Sequence, residues 1–210
     1  MSYDFVSSFY DRLAKLVFGT AQLDAQAWSL HHIPVGARIL IAGGGSGWIL
    51  EEISKIHSKG LTITYIDASP RMIALARQRG VASNKVVFIA DTIEKFAADS
   101  AEYDIVITPF LFDNFSEDTA ALAFSALHSN LRATGKWLYV DFAQTPKLSQ
   151  KLLLKSMYFF FGLLAGIKAR QLPNMERLFG ENGYKALDMK QFHSGFITAI
   201  VYTQPIVQKK

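Results

Sequence analysis

The chain has 210 residues, half of them hydrophobic, which suffices to bury a full core as one domain. It contains no cysteine, which excludes disulfides and thiolate metal sites, and its net charge of +4 includes no basic run dense enough for nucleic acid as the main ligand. The five histidines, His31, His32, His57, His128 and His193, show no metal-ligand spacing, so no metal is assigned.

A first helix is expected over 3–18, where Phe5, Phe9, Leu13 and Leu16 share one face, and a second over 21–32. The opening segment carries Asp4 and Asp11 and lacks the uninterrupted apolar core of a signal peptide, so a cytoplasmic location is expected. Residues 37–50, ARILIAGGGSGWIL, then combine an apolar strand (37–42), glycines at 43, 44, 45 and 47, and a helix (47–57). Glycines let the backbone turn sharply and approach a ligand, and the helix start presents free N–H groups at a positive dipole end. This is the pattern of a cofactor site. A dinucleotide fingerprint would need its third glycine at 48, where the chain has Trp48, whereas Gly43, Gly45 and Gly47 fit a Gly-x-Gly-x-Gly spacing.

The alternating run LTITYID (61–67) predicts the second strand and ends on Asp67, 24 residues past Gly43. An acid about 20 residues beyond such a turn accepts ribose hydroxyls, because a carboxylate takes two donors at once. Ser69 and Pro70 read as the N-cap and first residue of a helix over 70–80. The third strand (85–90) leads into Asp91, which is placed to cap the turn from Thr92 to Phe96. Strands over 103–108 and 135–142 flank a helix over 116–131 capped by Ser116. A long helix (147–168), a short one (173–181) and two strands (184–193 and 196–203) follow, the strands joined through Ser194 and Gly195 as an antiparallel hairpin.

In the long helix, Lys147, Lys151 and Lys155 form a polar ridge, while Leu152, Leu153, Leu154, Phe159, Phe160 and Phe161 cover much of the rest. Its apolar run after Ser156 stops at Lys168, short of the roughly 20 residues of a transmembrane span. Three uses fit it: a core helix, the wall of an apolar pocket, or an interfacial helix in peripheral contact with an anionic membrane. The alternation of strands and helices argues for a parallel sheet with right-handed crossovers and helices on both faces.

The glycine spacing, the acid after the second strand with its Ser69-Pro70-Arg71-Met72 continuation, and the acid after the third strand together resemble the motifs of the class I S-adenosylmethionine-dependent methyltransferases. The segment FYDRLAKLVFG resembles the start of the ubiquinone and menaquinone biosynthesis group and its small-molecule neighbours. The resemblance covers nearly the whole chain. It implies an α/β, Rossmann-like fold whose mostly parallel seven-stranded sheet ends in a C-terminal antiparallel hairpin. A single domain, 1–210, is implied: a helical lid over 1–35, a cofactor-binding core over 36–142, and acceptor-side helices with the terminal hairpin over 143–210. The implied cofactor is S-adenosylmethionine, held by Gly43, Gly44, Gly45, Gly47, Asp67, Ala68, Met72, Asp91, Thr92, Thr108 and Tyr10. Asp91 would then receive the adenine amine. Methyl transfer to a small, apolar or amphipathic acceptor is implied, with Phe110, Phe112 and Tyr158 either walling the reaction site or packing in the core.

One position departs from the pattern. The family's acid two residues before the first glycine is Ile41 here, which leaves the cofactor's ammonium group without an expected partner unless Asp4 or Asp11 replaces it. Methyl transfer from a sulfonium is an in-line displacement whose leaving group needs no proton, so few catalytic side chains are required. An acceptor that is not already ionised needs a base. Asp113, in the loop after the 103–108 strand, is the candidate catalytic residue, with His128, His193 and Tyr10 behind it; Asp113 could equally shape its turn. Two rivals remain: a non-catalytic S-adenosylmethionine-binding protein of the same fold, which Ile41 favours, and a nicotinamide-dependent oxidoreductase, which Trp48 disfavours.

Overall fold

The computed structural model describes residues 19–96, 102–144, 147, 150, 152 and 171–204. Tyr10, Tyr158, Asp4, Asp11, the 3–18 helix and most of the 147–168 helix lie outside these residues.

Strand β1 (Arg38–Ala42) reads RILIA, and Ile39, Leu40, Ile41 and Ala42 are all fully buried. A strand apolar on both faces suits only the middle of a sheet covered on both sides. β1 accordingly pairs in parallel with β2 (Lys59–Asp67) and with β4 (Tyr103–Pro109). β3 (Ser83–Ala90) extends the sheet beyond β2, and β5 (Leu131–Phe142) beyond β4. The terminal strands β6 (Lys185–Phe192) and β7 (Ile197–Thr203) complete seven strands in the order β3-β2-β1-β4-β5-β7-β6, with β7 antiparallel to both neighbours. The mostly parallel sheet and closing hairpin are those expected from the sequence.

Side chains alternate into two layers. On one face Ile39, Ile41, Ile63 and Tyr65 pack with Ile49, Leu50 and Ile53 of helix α2 (Trp48–Ile56) and Ile73 and Ala76 of α3 (Pro70–Ala76). Helix α1 (Ala21–Trp28), continued by a 3-10 turn Ser29–His32, covers β7 and β6 on this side. On the other face Leu40, Ala42, Val106 and Trp137 pack with α4 (Glu117–Asn130) and with Met175 and Phe179 of α5 (Met175–Glu181). Trp137 is the anchor of that layer: its ring lies 5.0 Å from both Phe124 and Phe179, and its indole N–H donates to Thr108 Oγ1 at 2.9 Å.

Several boundaries differ from the expected ones. α3 stops at Ala76 instead of 80, and Arg79 beyond it turns back to donate to the Ser46 carbonyl at 3.0 Å. β5 begins at Leu131 through an irregularity in its pairing with β4, where Arg132 pairs with Asp104. The hairpin turn is a 3-10 turn, His193–Gly195, with all three residues at positive φ. No helix among the described residues is long and apolar enough to cross a membrane.

Thr108→Val leaves the Trp137 indole N–H without its acceptor in a fully buried site, and is expected to cost about 1–3 kcal/mol. Urea unfolding of the two proteins measures this; equal midpoints would show the bond to be dispensable.

Candidate functional site

All parallel strands end on one edge of the sheet, where α/β folds place their ligands. There β1 runs into the glycine turn, tied to β2 by the Gly43 N–H donating to the Ile66 carbonyl at 2.8 Å. Gly43, Gly45 and Gly47 have φ of 70°, 62° and 82°, a region that favours glycine. Space decides two further points. A Cβ on Gly44 would come within 2.4 Å of the Tyr65 ring, and one on Gly47 within 2.7 Å of the Ala76 backbone, so the turn is seated against β2 and α3. A Cβ on Gly45 meets nothing within 4 Å, so that side is open. Tyr65, which the sequence reading did not single out, lies fully buried beneath the turn and donates its hydroxyl to the Gly45 carbonyl at 3.0 Å. Burial, helped by nearby Asp67, pushes its phenol pKa up and keeps it a donor.

Asp67, the last residue of β2, closes on the same turn. Its Oδ2 accepts from the Gly45 N–H at 2.9 Å and its Oδ1 from the Ser69 N–H at 2.9 Å. Burial raises the pKa of this carboxyl, and the two N–H groups oppose that. A carboxylate offers about four lone-pair sites, so about two remain for a ligand. Ser69 is the N-cap of α3, accepting from the Met72 N–H at 3.3 Å, with Pro70 at the first helical position.

A cavity of about 240 Å³ opens beside this pair. Gly43, Asp67, Ala68, Asp91, Thr92 and Phe110 share its wall, so the structure brings six of the sequence-assigned residues to one space. Asp91 serves its turn as well: Oδ1 accepts from the Thr92 N–H at 2.7 Å and pairs with Lys95 at 3.3 Å, and both hold its pKa down. Ile93, Glu94, Leu111, Asn114 and Phe115 also line the cavity, contributed by the turns after β3 and β4. Gly44, Gly45, Gly47, Met72, Thr108, Phe112 and Asp113 do not. Thr108 accepts the Trp137 indole, and Phe112 is fully buried with its ring 6.3 Å from Trp137 and 6.2 Å from Tyr139. Ile41 is fully buried in the layer that contains Tyr65.

The loop after β4 is under tension. Phe110 sits at φ 51°, uncommon for a bulky residue, with its N–H donating to the Val140 carbonyl at 2.8 Å and its ring 5.2 Å from Phe142. The fully buried Asp141 of β5, another residue the sequence reading passed over, holds the loop by accepting from the Phe112 and Asp113 N–H groups at 3.0 and 3.3 Å. Its other oxygen accepts from the Phe142 N–H at 2.8 Å. Burial pushes Asp141 up to about 7, while burial and the adjacent Asp141 push Asp113 well above the usual carboxylate range. Asp113 Oδ1 accepts from the Asn114 side chain at 2.6 Å. His128 lies in the last turn of α4, 2.9 Å from the Tyr184 hydroxyl and stacked on Phe124; His193 is exposed in the hairpin turn.

Residues 39–135 match a family profile described as a methyltransferase domain. The chain has the fold of solved methyltransferases. Among solved structures, the domain resembles the mitomycin 7-O-methyltransferase MmcR at a TM-score of 0.65 and 15% identity, over 89% of this chain and 54% of that one. This chain thus spans about half of that enzyme's length. It resembles the Burkholderia thailandensis 1,6-didemethyltoxoflavin-N1-methyltransferase, solved with S-adenosylhomocysteine, at a TM-score of 0.63 and 18% identity, over 95% and 84% of the two chains. Magnesium protoporphyrin IX methyltransferase of Synechocystis gives 0.65 and 19%, over 88% and 83%. The sequence matches no curated protein. The narrower likeness to the ubiquinone and menaquinone group is not carried by these matches.

The Asp113 and Asp141 pair makes stability depend on pH. An unfolded aspartate titrates near about 4. Between that value and about 7 the folded protein therefore binds more protons than the unfolded chain. Stability from Asp141 thus rises as pH falls through about 7 and levels off below the unfolded value. Asp113→Asn removes the second carboxyl whose pKa the fold raises and is expected to flatten the slope of the whole protein, measured as urea midpoints between about pH 5 and 8. Parallel slopes in the two proteins would mean that Asp113 takes up no proton on folding in this range.

Proposed function

We propose that the domain transfers the methyl group of S-adenosylmethionine to a small, apolar or amphipathic acceptor. One observation carries the reading: Gly43 of the turn and the Asp67 carboxylate, whose Oδ2 accepts from the Gly45 N–H at 2.9 Å and which keeps spare lone pairs, line one cavity. The residues present fit the cofactor. Asp67 accepts the ribose hydroxyls, Asp91 accepts the adenine amine, and Ile93 and Leu111 supply apolar surface for the ring. When bound, the cofactor supplies an electrophilic methyl on a positively charged sulfur.

The rest of the work assigned to the chain is positional. The loop held by Asp141 supports Phe110 and Phe115 at the cavity wall, where they exclude water from the reacting groups. Asp113, on the same loop, is assigned the proton of an acceptor that arrives un-ionised. The named acceptors of the structural neighbours, mitomycin, a toxoflavin precursor and magnesium protoporphyrin IX, are small molecules, which supports the same class here. Ile41 favours a second reading, cofactor binding without turnover, because β1 offers no acid to the ammonium group.

Calorimetry with S-adenosylhomocysteine is expected to show one site per chain, and Asp67→Ala to weaken it by about 1.5–3 kcal/mol, the scale for hydrogen bonds to a charged group. Unchanged affinity would remove Asp67 from the site. Transfer of labelled methyl to lipophilic ring acceptors separates the enzyme from the binding protein, and tighter binding of a nicotinamide cofactor would reject both.

A further inference from the structure

Away from the glycine turn, the structure assembles three metal-binding side chains that the sequence keeps far apart. His31 and His32 end the 3-10 turn before β1, and Asp188 lies 156 residues beyond His32 on β6. A register irregularity in β6 between Ala186 and Asp188 breaks the strand's alternation there, the usual way a strand re-aims a side chain. One donor atom from each of His31, His32 and Asp188 lies within 4.8 Å of the other two.

The chemistry of the donors is that of a transition-metal site. His31 Nδ1 is 2.6 Å from the Trp28 carbonyl, which only accepts, so Nδ1 carries the proton and Nε2 keeps the lone pair. This is the outer contact that metal-binding histidines characteristically make. His32 Nε2 lies 3.2 Å from Asp188 Oδ2, close to the roughly 3.3 Å separating two ligands of a tetrahedral ion bound at about 2.0–2.1 Å. The two imidazoles face one another with centroids 4.1 Å apart. The His32 side chain is only 15% exposed while that of Asp188 is 44% exposed, so the cluster is held on one side and open to ions on the other. Lys136 of β5 is the cation whose charge reaches His32, and the Asp188 carboxylate offsets it.

We propose that His31, His32 and Asp188 bind a divalent first-row transition ion, zinc by the imidazole and carboxylate donor set, and that the ion fastens the segment before β1 to the edge strand β6. Three protein ligands leave a fourth position for water. The site stands apart from the glycine turn and does not depend on the methyl-transfer reading.

Zinc titration of the metal-free full chain by calorimetry tests this, together with thermal unfolding. The expected result is one zinc per chain and a melting temperature that rises with zinc. His31→Ala and Asp188→Asn, on separate elements, are each expected to weaken zinc at least tenfold and to abolish the rise, while His193→Ala leaves both unchanged. Circular dichroism of the metal-free variants checks that they are folded. Absence of stoichiometric zinc binding by the parent protein, or zinc binding by folded His31→Ala and Asp188→Asn as tight as the parent's, would overturn the proposal.

Discussion

The carboxylate of Asp67 joins three pieces of chain: the end of β2, the glycine turn after β1 and the start of α3. Its two oxygens neutralise N–H groups that a tight turn and a helix start leave without partners. Tyr65, two residues earlier on β2, supports the same turn from below. The turn is therefore fixed before any ligand arrives, and a ligand meets a shaped surface instead of a mobile loop. Such preorganisation suits the proposed methyl transfer, which draws mainly on alignment and water exclusion.

The carboxylate of Asp141 does for the loop after β4 what Asp67 does for the glycine turn. Both are strand-end aspartates that take backbone N–H groups from a neighbouring loop. The difference is burial. Asp67 keeps a face on the cavity, whereas Asp141 is fully enclosed, so its charge is costly there and its proton is held towards neutral pH. One aspartate thus faces the cavity and the other supports a loop.

Much of the fold was legible because β1 is apolar on both faces and the following strands and helices alternate at their own periods. What the sequence obscured were the ends: Arg79 terminates α3 through contacts with Ser46 and Glu51, and the start of β5 is set by pairing with β4. Phe110 and Phe112 show the same limit. Two residues apart in one loop, they face a cavity wall and a core layer respectively, and only the path of the loop over Asp141 separates them.

By itself the sequence determined the sheet class, the glycine turn and the order of the acids Asp67 and Asp91, because backbone conformation and element period are local properties. The tertiary structure decided which side chains share a space: Tyr65 under Gly44, Asp141 beside Asp113, and Asp188 against His32 across 156 residues. Those pairings depend on strand order and register, which no short stretch of sequence encodes.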